Sequence, residues 1–261
     1  MRNRQLTIFG ELAQYYFNYE KNGVSIMTTK AIILAAGRGT RMASYSNSSP
    51  KSLLEFKGEA LLSRQLRSFT EAGVRDFVIV GGYMIDQMNE YVKTSPHNIH
   101  LLSNPFFSVN NSIASLWFAR EYLDDDIFIT NGDTYFQKEI FTKLLENKNE
   151  YVFGVDASKR NDADYRVTLF EDEILDMGKD ISGDDVMAEY IGIALIRESG
   201  VALFRDLLEK AIKVGNYNLW WEDLFVELMS KSRKISYADV TGDFWFEVDE
   251  AKDYRKYQRC F

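Results

Sequence analysis

The chain has 261 residues, of which 46% are hydrophobic, enough for one α/β domain with a sizeable core. A formal net charge of −8 argues against broad nucleic-acid binding, and any anionic ligand needs locally concentrated positive charge. One cysteine, Cys260, excludes an internal disulfide framework or a cysteine-based zinc site, and only two histidines, His97 and His100, leave histidine-based nucleophilic catalysis little support.

Residues 1–27 carry Leu6, Ile8, Phe9, Leu12, Tyr15, Tyr16, Phe17 and Tyr19, broken by Glu11 and Gln14. This is too interrupted for a signal peptide and fits a helical extension docked on the body or on a partner subunit. Met27 to Lys30 resembles a natural start, so 28–261 is expected to be the single domain. No run approaches a membrane span, so no membrane insertion is expected, and a cytoplasmic location follows. The oligomeric state is open, a homodimer included.

A short apolar strand is predicted at 31–34, followed by a glycine loop. A short strand at 52–56, a turn at Lys57-Gly58 and a helix marked by Leu61, Leu62, Leu66 and Phe69 come next; Gly73 stops that helix. Strands at 76–80, 99–102 and 127–130 alternate with helices at 85–92 and 112–122. Such alternation implies a mostly parallel sheet with helices on both faces, and ligands beyond the carboxyl ends of its strands. The glycine loop, Gly82 and Asp133 each follow such an end. The second half is less regular. It reads as strands at 151–155, 166–170, 174–177, 189–196, 235–238 and 244–248, with helices at 201–214, 220–229 and 250–258. The turns among the first of these strands are acidic, at Asp162, Asp164 and 171–173.

The most informative string is Leu34-Ala35-Ala36-Gly37-Arg38-Gly39-Thr40-Arg41, followed after a short spacer by Pro50-Lys51. Small residues let backbone approach a ligand, and consecutive N–H groups in such a loop form an anion nest. Arg38, Arg41 and Lys51 add fixed positive charge, so the loop suits a polyphosphate. A P-loop would require Lys-Ser or Lys-Thr after Gly39, where Thr40-Arg41 stands. A dinucleotide fingerprint would require a small residue at Met42. Glycine used only for turn geometry is the bland alternative for Gly-x-Gly alone; the longer string is more specific.

That string resembles the signature of the nucleotidyltransferases that make nucleotide-diphospho sugars and alcohols, and the likeness extends over roughly residues 30–257. The resemblance implies a three-layer α/β sandwich with a mostly parallel, Rossmann-like central sheet, the GT-A-like nucleotidyltransferase fold. It divides the domain into a nucleotide half, about 30–135, and an acceptor half, about 136–261. It also implies Mg²⁺, with ligands Asp133, after the strand at 127–130, and Asp249, in Phe-Glu-Val-Asp. Read locally, Asn131-Gly132-Asp133 is a turn and Asp249 a helix N-cap. Lys51, restrained by Pro50, is the expected catalytic cation near the α-phosphate or the incoming phosphate, and Arg41 the holder of the outer phosphates.

Within that family the chain is most similar to bacterial cytidylyltransferases of phosphocholine and related phosphates or phosphonates. The likeness lies in Val-Gly-Gly-Tyr at 80–83, in the segment 104–116 and in 246–255. It implies CTP as donor, with Gly82 and Tyr83 flanking the base and Asn110, Asn111 and Ser115 at pyrimidine and ribose; Asn110-Asn111-Ser112 also reads as a helix N-cap. For the acceptor, Tyr190, Trp220, Trp221 and Glu247 are candidates, with Glu222 and Trp245 beside them; each aromatic alone also fits the core. Trp and carboxylate together suit a small cationic or zwitterionic phosphate or phosphonate. The alternatives are a sugar-1-phosphate nucleotidylyltransferase using UTP or dTTP, and a nucleotide-binding module without turnover.

Overall fold

The computed structural model describes residues 29–42, 45, 48–160 and 165–260. The expected helical extension at 1–27 and the turn residues Asp162 and Asp164 lie outside the described residues. In chain order the first half comprises β1 (Lys30–Ala35), β2 (Glu55–Phe56), β3 (Glu59–Ala60), α1 (Leu61–Glu71), β4 (Asp76–Gly81), α2 (Ile85–Thr94), β5 (Asn98–Ser103), α3 (Ser112–Phe118) and β6 (Ile127–Asn131). The remainder comprises β7 (Thr134–Phe136), α4 (Lys138–Glu146), β8 (Tyr151–Asp156), β9 (Arg166–Phe170), β10 (Glu173–Gly178) and β11 (Ala188–Ile196). It closes with α5 (Glu198–Lys213), α6 (Asp223–Ser230), β12 (Ser236–Asp239), β13 (Trp245–Glu247) and α7 (Ala251–Tyr257).

One nine-stranded sheet runs in the order β5-β4-β1-β6-β11-β8-β12-β10-β9. β1 lies between two parallel neighbours, with Ile32 opposite Val78 of β4 and Ile129 of β6. Ala31 to Leu34 are all buried, as expected of a parallel strand covered on both faces. Successive residues serve opposite layers. Ile32 and Leu34 join Ile113, Leu116, Phe204 and Phe225 from α3, α5 and α6. Ala31 and Ile33 join Leu62, Leu66, Phe69, Phe141 and Leu144 from α1 and α4. The three-layer arrangement follows from this division.

The expectation of a mostly parallel sheet is corrected. Parallel pairing is confined to β5-β4-β1-β6 and to β8 with β12. β11 returns between β6 and β8, antiparallel to both, and β10 is antiparallel to β9 and β12. The result is a mixed sheet.

Smaller elements differ too. The strand expected at 52–56 is only β2; Lys51–Leu53 forms a 3-10 turn, closed by the Leu53 N–H donating to Pro50 at 2.9 Å. The helix expected at 112–122 ends at Phe118, before a separate turn at Arg120–Tyr122. The helix expected from 220 starts at Asp223, because Asp223 turns back to accept from the Trp220 N–H at 2.8 Å. β7 and α4 occupy a stretch for which no element is expected, although Ile140, Phe141 and Leu144 have helical spacing.

Candidate active site

The loop after β1 is clamped by the ends of the neighbouring strands. The Gly132 N–H donates to Leu34 at 2.9 Å, and the Tyr83 N–H donates to Ala36 at 3.0 Å. Both contacts leave no room for a side chain. A Cβ on Gly132 would stand 2.7 Å from the Ala35 Cβ, and one on Gly82 would stand 2.8 Å from the Ala36 carbonyl oxygen. Gly39 has φ +63°, a conformation that glycine adopts without steric cost. The chain then turns through Thr40–Met42, where Met42 anchors in a small cluster with Leu54, Phe56, Leu61, Phe246 and Val248.

That cluster also seats a two-stranded ribbon that joins distant parts of the chain. β7 and β13 pair antiparallel with Thr134 opposite Glu247, and the Val248 N–H donates to the Asp133 carbonyl at 3.0 Å. Asp133 and Asp249 are thereby drawn together beside the loop. Glu247 and Asp249 are two residues apart, so in an extended segment their side chains share a face. One carboxylate oxygen from each of Asp133, Glu247 and Asp249 lies within 4.8 Å of the others.

Lys51 reaches into this group from the 3-10 turn. Its ammonium donates to Asp133 Oδ2 at 2.7 Å and to Asp249 Oδ1 at 2.8 Å. Arg41 lies 3.3 Å from Asp249 Oδ2. Burial alone would lower the lysine's pKa; the two carboxylates more than reverse this and hold it above the usual lysine range. Burial likewise raises Asp249, but Lys51 and then Arg41 bring its carboxyl below the usual range. Asp133 Oδ1 is buried with no hydrogen-bond partner among the described residues. A bare, buried carboxylate oxygen beside two further carboxylates is the donor set that a hard divalent cation such as Mg²⁺ takes, so the residues present fit that ion.

A cleft of about 320 Å³ opens from this point. It is lined by Leu34, Ala35, Ala36, Gly37, Gly39 and Thr40 of the loop, and by Arg41 and Lys51. Asn110, Asn111, Ser115, Asp133, Tyr190, Trp220, Glu247 and Asp249 line it as well. Asn111 caps α3, accepting from the Ser112 N–H at 2.8 Å, and still borders the cleft. Fully buried Asn104 donates to Asn110 at 3.1 Å and to Ser115 at 3.0 Å, so one hidden amide orients both.

Four of the expected residues do not line the cleft. Gly82 acts through backbone packing on Ala36. The Arg38 guanidinium lies 5.6 Å over the Tyr83 ring, and Tyr83 in turn meets Phe107, which lines the cleft in its place. Trp221 is corrected from acceptor contact to core: it has no exposed surface and donates its indole N–H to Asn131 Oδ1 at 3.2 Å. Trp245, considered beside the acceptor candidates, is tied to Asp156 at 2.8 Å. Glu247, an acceptor candidate by sequence, sits with the two aspartates.

The cleft is also lined by Asn131, Tyr165, Lys179 and Glu189, to which sequence reasoning gave no binding role, and by Glu222, considered there beside the acceptor candidates. Burial pushes the Glu222 carboxyl up to about 8, a rise opposed by its own backbone N–H and the Asn131 amide. Its position directly after two tryptophans was the visible signal.

Residues 31–193 match the MobA-like NTP transferase domain, and since this is more than half of the chain, the protein belongs to that family of nucleotidyltransferases. Among curated proteins the chain is similar to the CTP:phosphoglutamine cytidylyltransferase of Campylobacter jejuni, at 25% identity over 85% of this chain and 96% of that protein. It is also similar to the choline-phosphate cytidylyltransferase of Streptococcus pneumoniae, at 26% over 87% and 96%, and to the 2-aminoethylphosphonate cytidylyltransferase of Lancefieldella rimae, at 27% over 77% and 81%. Among solved structures the CTP:phosphocholine cytidylyltransferase of Streptococcus pneumoniae superposes with a TM-score of 0.72 at 20% identity, over 89% of this chain and 99% of that one. The inositol-1-phosphate CTP transferase of T. maritima gives a TM-score of 0.74 at 20% identity, over 87% and 91%. These two likenesses establish the nucleotide-diphospho-sugar transferase fold. No helix among the described residues is long and apolar enough to cross a membrane.

Proposed function

We propose that this protein transfers CMP from CTP to a small phosphorylated alcohol or phosphonate and releases pyrophosphate. The observation that carries the reading is the ammonium of Lys51 held between Asp133 and Asp249 at the mouth of the glycine loop. The names of the three cytidylyltransferase relatives support CTP and a small phosphorus-bearing acceptor.

In this reaction an oxygen of the acceptor's phosphate or phosphonate attacks the α-phosphorus of CTP. The bond from that phosphorus to the bridging oxygen breaks, and pyrophosphate leaves with the electron pair. The obstacle is charge: two anionic groups at ~4 Å repel by roughly 4 kcal/mol at an effective dielectric near 20. The loop from Ala35 to Thr40 and the Arg41 guanidinium face the outer phosphates. Lys51 serves the α-phosphate, where its ammonium neutralises charge that builds as the acceptor approaches. Asp133 and Asp249, with Glu247 beside them, would hold Mg²⁺, which supplies charge neutralisation and alignment of phosphate oxygens. Asn110 and Ser115, both oriented by Asn104, offer amide and hydroxyl groups to a pyrimidine or its ribose.

Pyrophosphate release, measured over CTP, UTP, dTTP, ATP and GTP with phosphocholine, 2-aminoethyl phosphate, 2-aminoethylphosphonate, a phosphorylated amide and hexose 1-phosphates, tests the reading. CTP with one of the small acceptors is the expected pair. UTP or dTTP with a hexose 1-phosphate would replace it with sugar nucleotide synthesis. Binding of CTP without pyrophosphate from any acceptor would point to a module that has lost turnover.

A further inference from the structure

We infer that Glu222 and Tyr190 form a head-group subsite for a primary ammonium on the phosphorylated acceptor, and that this subsite disfavours a trimethylammonium. The inference rests on the transferase reading above and adds the chemical class of its acceptor.

Besides Ser52 Oγ and Asp133 Oδ1, two buried polar atoms of cleft-lining residues lack partners among the described residues. Glu222 is 5% exposed and Tyr190 3% exposed, and both line the cleft. Glu222 Oε2 and the Tyr190 hydroxyl have no hydrogen-bond partner among the described residues. Buried polar groups left unpaired are costly, and a ligand that pairs them recovers that cost. A primary ammonium carries three N–H donors; a trimethylammonium carries none.

The carboxyl is also held in place before any ligand arrives. The Trp221 indole N–H donates to Asn131 Oδ1, which fixes the Asn131 amide, and its nitrogen is the end left to serve Glu222. The Trp221 backbone N–H donates to Ser112 at 3.0 Å, tying this turn to the start of α3. The groups that bear on the carboxyl's charge are Asp223 on the same turn, Lys179, and the Tyr165 and Tyr190 hydroxyls. A bound ammonium supplies the positive charge that lets the carboxyl ionise.

The aromatic rings nearby are poorly placed to cage a quaternary cation, which needs ring faces open to it. Lys179 Nζ already stands 5.2 Å from the Trp220 ring centroid. The Tyr190 ring packs 4.4 Å from Phe153 and meets Tyr165 edge-on at 5.7 Å. Trp221 is enclosed in the core. The Tyr190 hydroxyl and the Glu222 carboxyl are the buried groups here that a ligand with N–H donors can pair.

Steady-state rates with CTP and Mg²⁺ should be compared for 2-aminoethyl phosphate, phosphocholine and 2-hydroxyethyl phosphate, which share phosphate and chain length. The expected kcat/KM for the amine is at least tenfold above each of the others. Glu222→Gln should erase most of that preference by raising the KM of the amine while the KM for CTP stays within twofold. Tyr190→Phe should weaken it severalfold. Equal or better use of phosphocholine or 2-hydroxyethyl phosphate overturns the inference and leaves the transferase reading standing, as does a preference that survives both substitutions. If Glu222→Gln does not fold, the wild-type ratio together with Tyr190→Phe decides. Absence of pyrophosphate from CTP with any acceptor overturns the transferase reading itself, and the subsite with it.

Discussion

The Lys51 ammonium and the Asp133 carboxylate are 2.7 Å apart, and the same ammonium also holds Asp249, so the lysine engages two of the three carboxylates that fit a divalent cation. A bound divalent cation would share these two carboxylates with the lysine. Lys51→Ala should therefore bind Mg²⁺ or Mn²⁺ more tightly than wild type in the absence of nucleotide, as read by titration calorimetry. Turnover should fall roughly 100-fold or more, because the proposed mechanism uses this charge in the transition state. CTP affinity should fall less than tenfold. Equal losses in affinity and turnover would make Lys51 a plain nucleotide holder.

Asp133→Asn and Asp249→Asn should each reduce turnover to near background while the circular dichroism spectrum stays native. The ribbon that aligns them is held by main-chain bonds, including Val248 to Asp133, which neither substitution removes. Lys51 also retains its other carboxylate in each variant. The loss of stability should then stay at about 1–3 kcal/mol, the cost of one charged hydrogen bond, and urea unfolding measures it. A variant that unfolds outright would mean that this corner of the fold depends on the ion pair.

Some of this site is legible in the sequence because the relevant patterns are local. The apolar run at 31–34, the glycine string and Pro50-Lys51 lie within one short stretch, and Asp133 directly follows a strand. The meeting of Asp133 with Glu247 and Asp249 is not local: it depends on pairing two three-residue strands, too short to carry a pattern of their own. The adjacent pair Trp220 and Trp221 shows a second limit. One is 44% exposed and the other fully buried, and that choice is set by where Asp223 starts α6, not by composition. The reversed strand β11 is likewise invisible to periodicity, since a buried strand has the same apolar content in either direction.

Gly82→Ala probes the clamp on the loop. The new methyl group would stand 2.8 Å from the Ala36 carbonyl oxygen and 2.9 Å from the Phe107 Cβ, so backbone must move. Overpacking of this kind costs about 1–3 kcal/mol. The Tyr83-to-Ala36 hydrogen bond is the first contact to lengthen, and it fixes the loop proposed to hold the phosphates. CTP affinity should fall about tenfold, a change worth about 1.4 kcal/mol, with the acceptor KM little altered. An unchanged CTP affinity together with lowered stability would separate the clamp from nucleotide binding.

Glu222 makes stability depend on pH in a definite direction. Its carboxyl is pushed by burial from 4.5 up to about 8, so the folded state binds the proton more tightly than the unfolded chain does. The contribution is fully present below the ordinary carboxyl value and is lost as pH rises toward about 8. Across that window this one group weakens folding by roughly 1.4 kcal/mol per pH unit. Asp223, also raised by burial, acts with the same sign, whereas Lys179 opposes the rise at Glu222. Comparing wild type with Glu222→Gln isolates the Glu222 share, because both proteins keep Asp223 and Lys179. The melting temperature of the glutamine variant should gain on that of wild type steadily from pH 5 to pH 8. A gap that stays constant over that range would show that the carboxyl is ionised in the folded protein throughout, so that the cleft carries a negative charge at Glu222.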